Sequence, residues 1–129
     1  MKILTIGDVV GEAGLDALHA LLRRIKRDTG ADFVIVNGEN AAGNGVLPRQ
    51  AEDIFDAGAD VVTLGNHAFG KQQIVPYLDE HSDILRPANL APQSPGQGWG
   101  IFDGPQGSRL LVIDLIGRCD MKYGPDNPF

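Results

Sequence analysis

Two carboxylates, two amides and one imidazole follow three short apolar stretches of the sequence. The stretches ILTIGD, VIVNGEN and VVTLGNH end in Asp8, in Glu39 and Asn40, and in Asn66 and His67. A glycine directly precedes the first of these residues in each stretch, and glycine lets the backbone turn sharply or approach a ligand closely. Oxygen donors with some imidazole suit Mn²⁺, Fe or Mg²⁺ better than metals that prefer thiolates. The residue types therefore predict a metal site.

Ordinary turn chemistry is the competing interpretation of these residues. Asp often caps a helix, and Asn and His often close turns. However, Asp8 and Glu39 would repel each other if they met without a counter-charge, and a divalent cation removes that conflict. A single stretch of this kind would favour turn chemistry, whereas three with matching chemistry favour a shared site.

The elements that must position these residues alternate between strand and helix. The apolar stretches predict strands, EAGLDALHALLRRIKRDTG has helical spacing with Gly30 as a stop, and Pro48 opens a second helix that ends near Gly58. This alternation predicts a mostly parallel sheet that is covered on both faces. Ligands of such sheets bind beyond the carboxyl ends of the strands, so we expect the five polar residues to converge on one edge.

The second half of the chain has a different pattern. KQQIVPYLDEH predicts a helix with Pro76 in its first turn or at a kink, and a short strand is expected near Ile84. WGIFD and SRLLVIDLIG predict an antiparallel hairpin, with Trp99 expected in the core. The predicted fold class is therefore α/β, with a mostly parallel, mixed sheet and flanking helices in one domain over residues 1–129.

Composition excludes some classes of function. The formal net charge of −6 argues against non-specific binding to nucleic acid, which needs clustered Lys and Arg. Cys119 is the only cysteine, so no intrachain disulfide is possible. The N-terminus lacks the features of a signal peptide, and no run approaches the ~20 apolar residues of a membrane span. We therefore expect a cytoplasmic protein with no membrane partner.

Five motifs, spread in order over essentially the whole chain, resemble the bacterial metallophosphoesterases of the YmdB type. They are GDVVG, NGENAAGNG, TLGNH, RPAN and the terminal GR…DNPF, and the pair GENAAG and LGNH is the most specific. The resemblance implies the α/β/β/α sandwich of calcineurin-like phosphoesterases around a two-metal centre. It also implies an enzyme that hydrolyses phosphodiesters, notably 2′,3′-cyclic nucleotides.

Carried over position by position, the resemblance implies a role for each polar residue. Asp8 and Asn40 would bind the first metal, Glu39 would bridge both metals, and Asn66 would bind the second. His67 would be the catalytic proton donor to the leaving alkoxide. The implied cofactors are two divalent metals, with Mn²⁺ or Fe favoured over Mg²⁺ or Zn²⁺.

Four further residues are candidates for substrate binding. Ala41 and Gly43 belong to the Gly-rich AAGNG loop, which could surround a phosphate with backbone N–H groups or be a plain flexible loop. Arg86 and Asn89 of RPAN could contact phosphate, although Arg86 could instead pair with a carboxylate. The expected substrate is a small phosphodiester or cyclic nucleotide.

The chain departs from the family pattern in two respects. Where the family continues its His motif with an aromatic residue and Asp, this chain has Phe69 and Gly70. Family members are also about twice as long on typical two-layer domain sizes, and their second half supplies three further histidine ligands. We therefore expect an incomplete domain with weak metal binding and exposed apolar surface, and with a homo-oligomer or a complementing second half as partner.

Two alternatives from other classes remain open. The chain could be a truncated, non-catalytic α/β module that binds a metal, a nucleotide or a protein partner. It could also be a flavodoxin-like nucleotide binder, which would not require Glu39 and His67 to meet.

Overall fold

A computed structural model describes residues 1–119, 121 and 125–128 of the chain. Four parallel strands form one sheet in the order β1 (Ile3–Ile6), β2 (Phe33–Asn37), β3 (Val61–Thr63) and β4 (Ile84–Leu85). The helices are α1 (Gly11–Thr29), α2 (Pro48–Ala57) and α3 (Ile74–Glu80). Strands β5 (Trp99–Asp103) and β6 (Arg109–Ile113) pair antiparallel across a short 3₁₀ turn at Pro105–Gly107.

The predicted ends of α1 and α2 and the predicted start of α2 are confirmed, whereas α3 begins at Ile74, three residues later than the predicted stretch. Gly30 and Gly58 follow α1 and α2 with φ of 64° and 119°, in the left-handed region that glycine adopts without a steric cost. Pro48 is the first residue of α2, and Pro76 lies in the first turn of α3, where a missing N–H costs no helical hydrogen bond. The α/β fold class is confirmed as well.

The helices cover one face of the parallel sheet. Val34, Val36, Val62 and Ile84 are fully buried there. They pack in one cluster with apolar side chains of all three helices, among them Leu22, Ile54, Ile74 and Leu78. Because side chains alternate along a strand, the residues between them point to the opposite face.

The hairpin covers that opposite face. Phe33, Val61 and Leu85 form a second buried cluster with Val112 of β6, and Phe102 of β5 packs against Phe33 with ring centroids 5.8 Å apart. Parallel and antiparallel strands are both present, as predicted, but they are divided between two stacked sheets. An isolated parallel bridge joins Leu85 of β4 to Gln97, just before β5 begins.

The outward face of the hairpin is apolar and exposed. Its large side chains are about half exposed, at 50–56% of their full accessibility: Trp99, Ile101, Leu111, Ile113 and the following Leu115. The expectation that Trp99 lies in the core was wrong, because in a two-stranded sheet every second residue faces away from the packed layer. The prediction of exposed apolar surface is confirmed, and the partner that would cover it stays a prediction.

Pro125 and Asp126 contact the body of the domain. The N–H of Asp126 donates to the carbonyl of Asn89 at 2.9 Å, and Pro125 is buried. Asp120, Lys122, Tyr123, Gly124 and Phe129, and with them part of the GR…DNPF motif, lie outside the described residues. None of the helices in the described ranges has the length and hydropathy needed to span a membrane.

Candidate metal and phosphoester site

The carboxyl ends of β2 and β3 are tied together by backbone and side-chain hydrogen bonds. The N–H of Gly38 donates to the carbonyl of Thr63 at 3.0 Å. The side-chain amide of Asn37 donates to the carbonyl of Leu64 at 3.3 Å. These bonds fix the distance between the segments that carry Glu39 and His67.

Gly65 allows Glu39 to lie directly over the end of β3. A Cβ at this position would overlap the Glu39 carboxylate, so any side chain here would displace the carboxylate. The main-chain N–H of His67 donates to Oε1 of Glu39 at 2.6 Å, and Nδ1 of its ring lies 3.4 Å from the same oxygen. The close approach of Glu39 to the end of β3 therefore requires the glycine of the TLGNH motif.

A hydrogen-bonded chain extends from His67 to Asp8. Nδ1 of His67 lies 3.2 Å from Oδ1 of Asn40, and the Asn40 amide donates to Oδ1 of Asp8 at 2.8 Å. The structure thus brings together four of the five residues predicted from the strand ends. The fifth, Asn66, is exposed beside His67, and its side chain has no hydrogen-bond partner within the part of the chain that the structure describes.

Asp8 has an unusual backbone conformation. Its φ of 35° lies in a region that side chains other than glycine rarely adopt, although Asp tolerates it better than most. The neighbouring backbone is held by two bonds, from the Val9 N–H to the Asn37 carbonyl at 2.9 Å and from the Gly11 N–H to the Asn40 carbonyl at 3.1 Å. Strained conformations of this kind cluster at ligand sites.

The types of donor atom in this site suit a divalent cation, but the charged ligands are few. The side chain of Glu39 is 13% exposed and that of His67 is 36% exposed, so both are accessible from solvent. Carboxylate and amide oxygens with one imidazole suit Mn²⁺, Fe or Mg²⁺. However, no group of three or more His, Cys, Asp or Glu that could hold a metal occurs among residues 1–119, 121 and 125–128.

Comparison with known proteins identifies the family. The family model described as YmdB-like protein matches residues 4–129. The chain belongs to the YmdB-like family. The resemblance seen in the five sequence motifs is thereby confirmed.

Relatives of this family member have matching sequence and fold. A curated relative, the 2′,3′-cyclic-nucleotide 2′-phosphodiesterase of Bacillus subtilis (strain 168), is 39% identical over a match 130 residues long that covers 100% of this chain and 48% of the relative. A hypothetical protein from Thermus thermophilus superposes with a TM-score of 0.88 at 37% identity, over 99% of this chain and 49% of that one. A structure from Mycoplasma pneumoniae, described as a novel phosphatase, gives 0.88 at 28% identity, over 99% and 47%. The chain therefore spans about half the length of the proteins it matches.

The departure from the family motif at Gly70 has a structural correlate. A Cβ at Gly70 would overlap the carbonyl oxygen of Asn44, because the loop of residues 41–45 packs against this point. The N–H of Gly70 donates to the carbonyl of His67 at 2.8 Å and closes the turn after the histidine. In this chain the Gly-rich loop therefore lies where an aspartate side chain would begin.

The N–H groups of the Gly-rich loop donate to carbonyls in or next to the loop. The N–H of Ala41 donates to the carbonyl of Gly38 at 3.1 Å, and that of Gly43 donates to the carbonyl of Asn40 at 2.9 Å. The carbonyl of Ala41 also accepts the buried amide of Gln50 at 3.0 Å. In this conformation neither N–H is free for a phosphate, so the substrate role of Ala41 and Gly43 stays a prediction.

Arg86 and Asn89 are buried in the loops that follow β4. Arg86 is 6% exposed, and its guanidinium donates to the carbonyls of Pro87 at 2.8 Å, Pro95 at 3.3 Å and Ser94 at 3.4 Å. Asn89 is 5% exposed and exchanges two hydrogen bonds with the backbone of Ile116. These contacts stabilise the loops and do not favour a role of Arg86 and Asn89 in substrate binding. That role stays a prediction.

Sequence reasoning missed Asp114. The residue is 8% exposed at the end of β6, and Oδ2 of its carboxyl accepts the N–H of Leu64 at 3.1 Å. Burial raises the pKa of Asp114 to about 7; the hydrogen bond from Leu64 opposes this, and the charge of Glu39 adds to it. The available signal was an acidic residue at an inward position, two residues after Val112, in the apolar stretch LLVIDLIG.

Proposed function

We propose that this chain carries part of a metal-dependent phosphodiesterase site that hydrolyses 2′,3′-cyclic nucleotides or related small phosphodiesters. The observation that carries the proposal is the hydrogen-bonded chain from Asp8 through Asn40 to His67, with Glu39 bonded to the same histidine. The activity for which the Bacillus subtilis relative is named supports the choice of substrate class.

Two divalent metals, Mn²⁺ or Fe by preference, fit the donor types of this site. When bound, such a pair supplies a hydroxide nucleophile and neutralises charge on the phosphoryl oxygens. Asp8 and Asn40 would hold the first, Glu39 would contact both and Asn66 would hold the second. The Asn40 amide nitrogen donates to Asp8 in this structure. The Asn40 side-chain amide would therefore have to rotate for Asn40 and Asp8 both to present oxygen to one cation.

His67 can hold a proton for the leaving group. Its Nδ1 faces Asn40 and Glu39, so Nε2 is the ring atom available to a substrate. Glu39 accepts a hydrogen bond from the main-chain N–H of His67, and this bond fixes the main chain from which the ring extends. A ribose alkoxide leaves poorly without a proton, and an acid within hydrogen-bond reach assists it.

The experiment uses the purified chain with Mn²⁺ and two substrates, bis-p-nitrophenyl phosphate and 2′,3′-cAMP. Turnover that requires Mn²⁺ and is lost in Asn66→Ala supports the proposal. A chain of confirmed fold and intact mass that turns over neither substrate, with or without the unmatched half of the Bacillus subtilis relative added in trans, contradicts it.

A non-catalytic metal-binding module is the second candidate. It is favoured by the short supply of charged ligands among the described residues. In that case Mn²⁺ raises the melting temperature of the chain, Asn66→Ala reduces the increase, and neither substrate is hydrolysed. A flavodoxin-like nucleotide binder is disfavoured, because the structure joins Glu39 and His67 by a hydrogen bond.

A further inference from the structure

We propose that Asp114 is a positioning residue that holds the turn of residues 64–67 in the conformation in which His67 meets Glu39. The proposal rests on the proposed function for the purpose of this turn, while its geometry is independent of that function. Asp114 lies 50 positions from Leu64 in the chain and directly follows β6 of the second sheet.

The backbone of Asp114 is anchored before its side chain reaches the turn. Its N–H donates to the carbonyl of Gly98 at 3.0 Å, and its carbonyl accepts the N–H of Ala88 at 2.8 Å. Both bonds are to segments that flank β4 and β5, so the position of the carboxyl is set by the packing of the two sheets. A carboxyl fixed in this way can hold a neighbouring loop in place.

Two carboxyl groups hold the two ends of the same turn. Oδ2 of Asp114 accepts the N–H of Leu64 at 3.1 Å, and Oε1 of Glu39 accepts the N–H of His67 at 2.6 Å. Directly after the turn, the N–H of Ala68 donates back to the carbonyl of Gly65 at 3.1 Å. The turn that carries the candidate proton donor and Asn66 is thus held from both sheets.

Satisfying a buried donor does not by itself explain the carboxyl. The N–H of Leu64 also donates to the carbonyl of Leu85 at 3.0 Å, so it would keep an acceptor if residue 114 were apolar. Burying a carboxyl carries a desolvation cost, and the raised pKa of Asp114 is a sign of that cost. A residue that is costly to bury and not needed to satisfy its donor is consistent with a role at the adjacent site.

Amide hydrogen exchange followed by NMR tests the proposal without metal or substrate. The variants are Asp114→Ala, which removes the acceptor, and Asp114→Asn, which keeps an oxygen acceptor without the charge. Val112→Ala is the matched control, because Val112 is the preceding inward residue of β6 and is buried at 7% exposure without a bond to the turn. Asp114→Leu replaces Asp114→Ala if the latter does not fold.

We expect Asp114→Ala to speed exchange of the His67 amide about tenfold or more beyond any change in global stability, and to change the Leu64 amide less, because that amide keeps the carbonyl of Leu85 as an acceptor. Asp114→Asn should stay within about threefold of the parent chain, and Val112→Ala should lower global stability without a selective effect on the turn. Equal patterns in Asp114→Ala and Val112→Ala, or an unchanged His67 amide, would overturn the proposal. Because neither metal nor turnover is measured, this failure is distinct from a failure of the proposed function.

Discussion

The main-chain N–H of His67 donates a 2.6 Å hydrogen bond to Oε1 of Glu39, and this bond joins the carboxyl ends of β3 and β2. It forms because Gly65, in the turn that follows β3, has no side chain to displace the carboxylate. The candidate site therefore depends on a close approach of two segments that lie 28 positions apart.

Gly65→Ala should damage the site more than the fold. The added methyl group overlaps the Glu39 carboxylate, so we expect the carboxylate to move and the unfolding free energy to fall by about 1–3 kcal/mol. The increase in melting temperature produced by Mn²⁺ should also be lost. Both effects are measured by thermal unfolding with and without Mn²⁺.

Gly7→Ala is the matched control for this substitution. Gly7 is the corresponding glycine after β1, and a Cβ there meets nothing within 4 Å. We expect a change in unfolding free energy within about 0.5 kcal/mol and an intact response to Mn²⁺. Equal effects of the two substitutions would contradict the close-approach argument.

His67→Gln should distinguish substrates by their leaving group. Hydrolysis of 2′,3′-cAMP should fall about 10²- to 10⁴-fold, because its ribose oxygen needs a proton. Hydrolysis of bis-p-nitrophenyl phosphate should fall much less, because p-nitrophenolate leaves without one. The rates are measured in the form of the protein that shows turnover, the chain alone or together with the complementing half.

His81→Gln serves as the control for a general effect of losing an imidazole. The His81 ring stacks on Tyr77 with centroids 3.7 Å apart, after α3. Its replacement should leave the ratio of the two rates unchanged. A His67 variant that slows both substrates equally would remove the histidine from the role of proton donor.

Asp114 should make the protein less stable as the pH rises from about 4 to 7. Burial is the main cause that raises the pKa of Asp114 in the folded state from 3.8 to about 7. Between these two pH values the folded state therefore holds a proton that the unfolded state has released. The unfolding free energy should fall by up to about 1.4 kcal/mol per pH unit and become level above pH 7.

The difference between the parent chain and Asp114→Asn isolates this contribution from other titrating groups. Chemical unfolding of both proteins at pH 4, 5, 6, 7 and 8 provides the comparison. Parallel curves for the two proteins across this range would show that the carboxyl does not carry the predicted pH dependence.

The exposed face of the hairpin should make the isolated chain associate. Ile101 and Leu111 are paired across β5 and β6, and both are more than half exposed. Ile101→Lys should raise the concentration at which the chain associates, whereas Gln72→Lys, on an exposed loop, should not. Sedimentation velocity over a range of concentrations measures this, and a parent chain that stays monomeric throughout would contradict the expectation.

Much of the fold follows from local patterns in the sequence. Apolar runs that end at glycine, helical spacing between Leu15 and Leu22, and the stop at Gly30 are readable because each acts over a few neighbouring residues. Parallel pairing then places the carboxyl ends of β1, β2 and β3 on one edge. The meeting of Asp8, Glu39, Asn40 and His67 was predictable for this reason.

The sequence by itself thus determined the elements, the parallel order of the first strands and the residue types at their ends. Only the tertiary structure decided that the hairpin stacks as a second sheet, that Arg86 is buried among carbonyls and that Asp114 reaches the turn at Leu64. The stacking of the hairpin and the reach of Asp114 depend on contacts between segments tens of residues apart, and the carbonyls around Arg86 depend on how the loop after β4 folds back on itself. Packing and desolvation select such contacts, and no local periodicity records them.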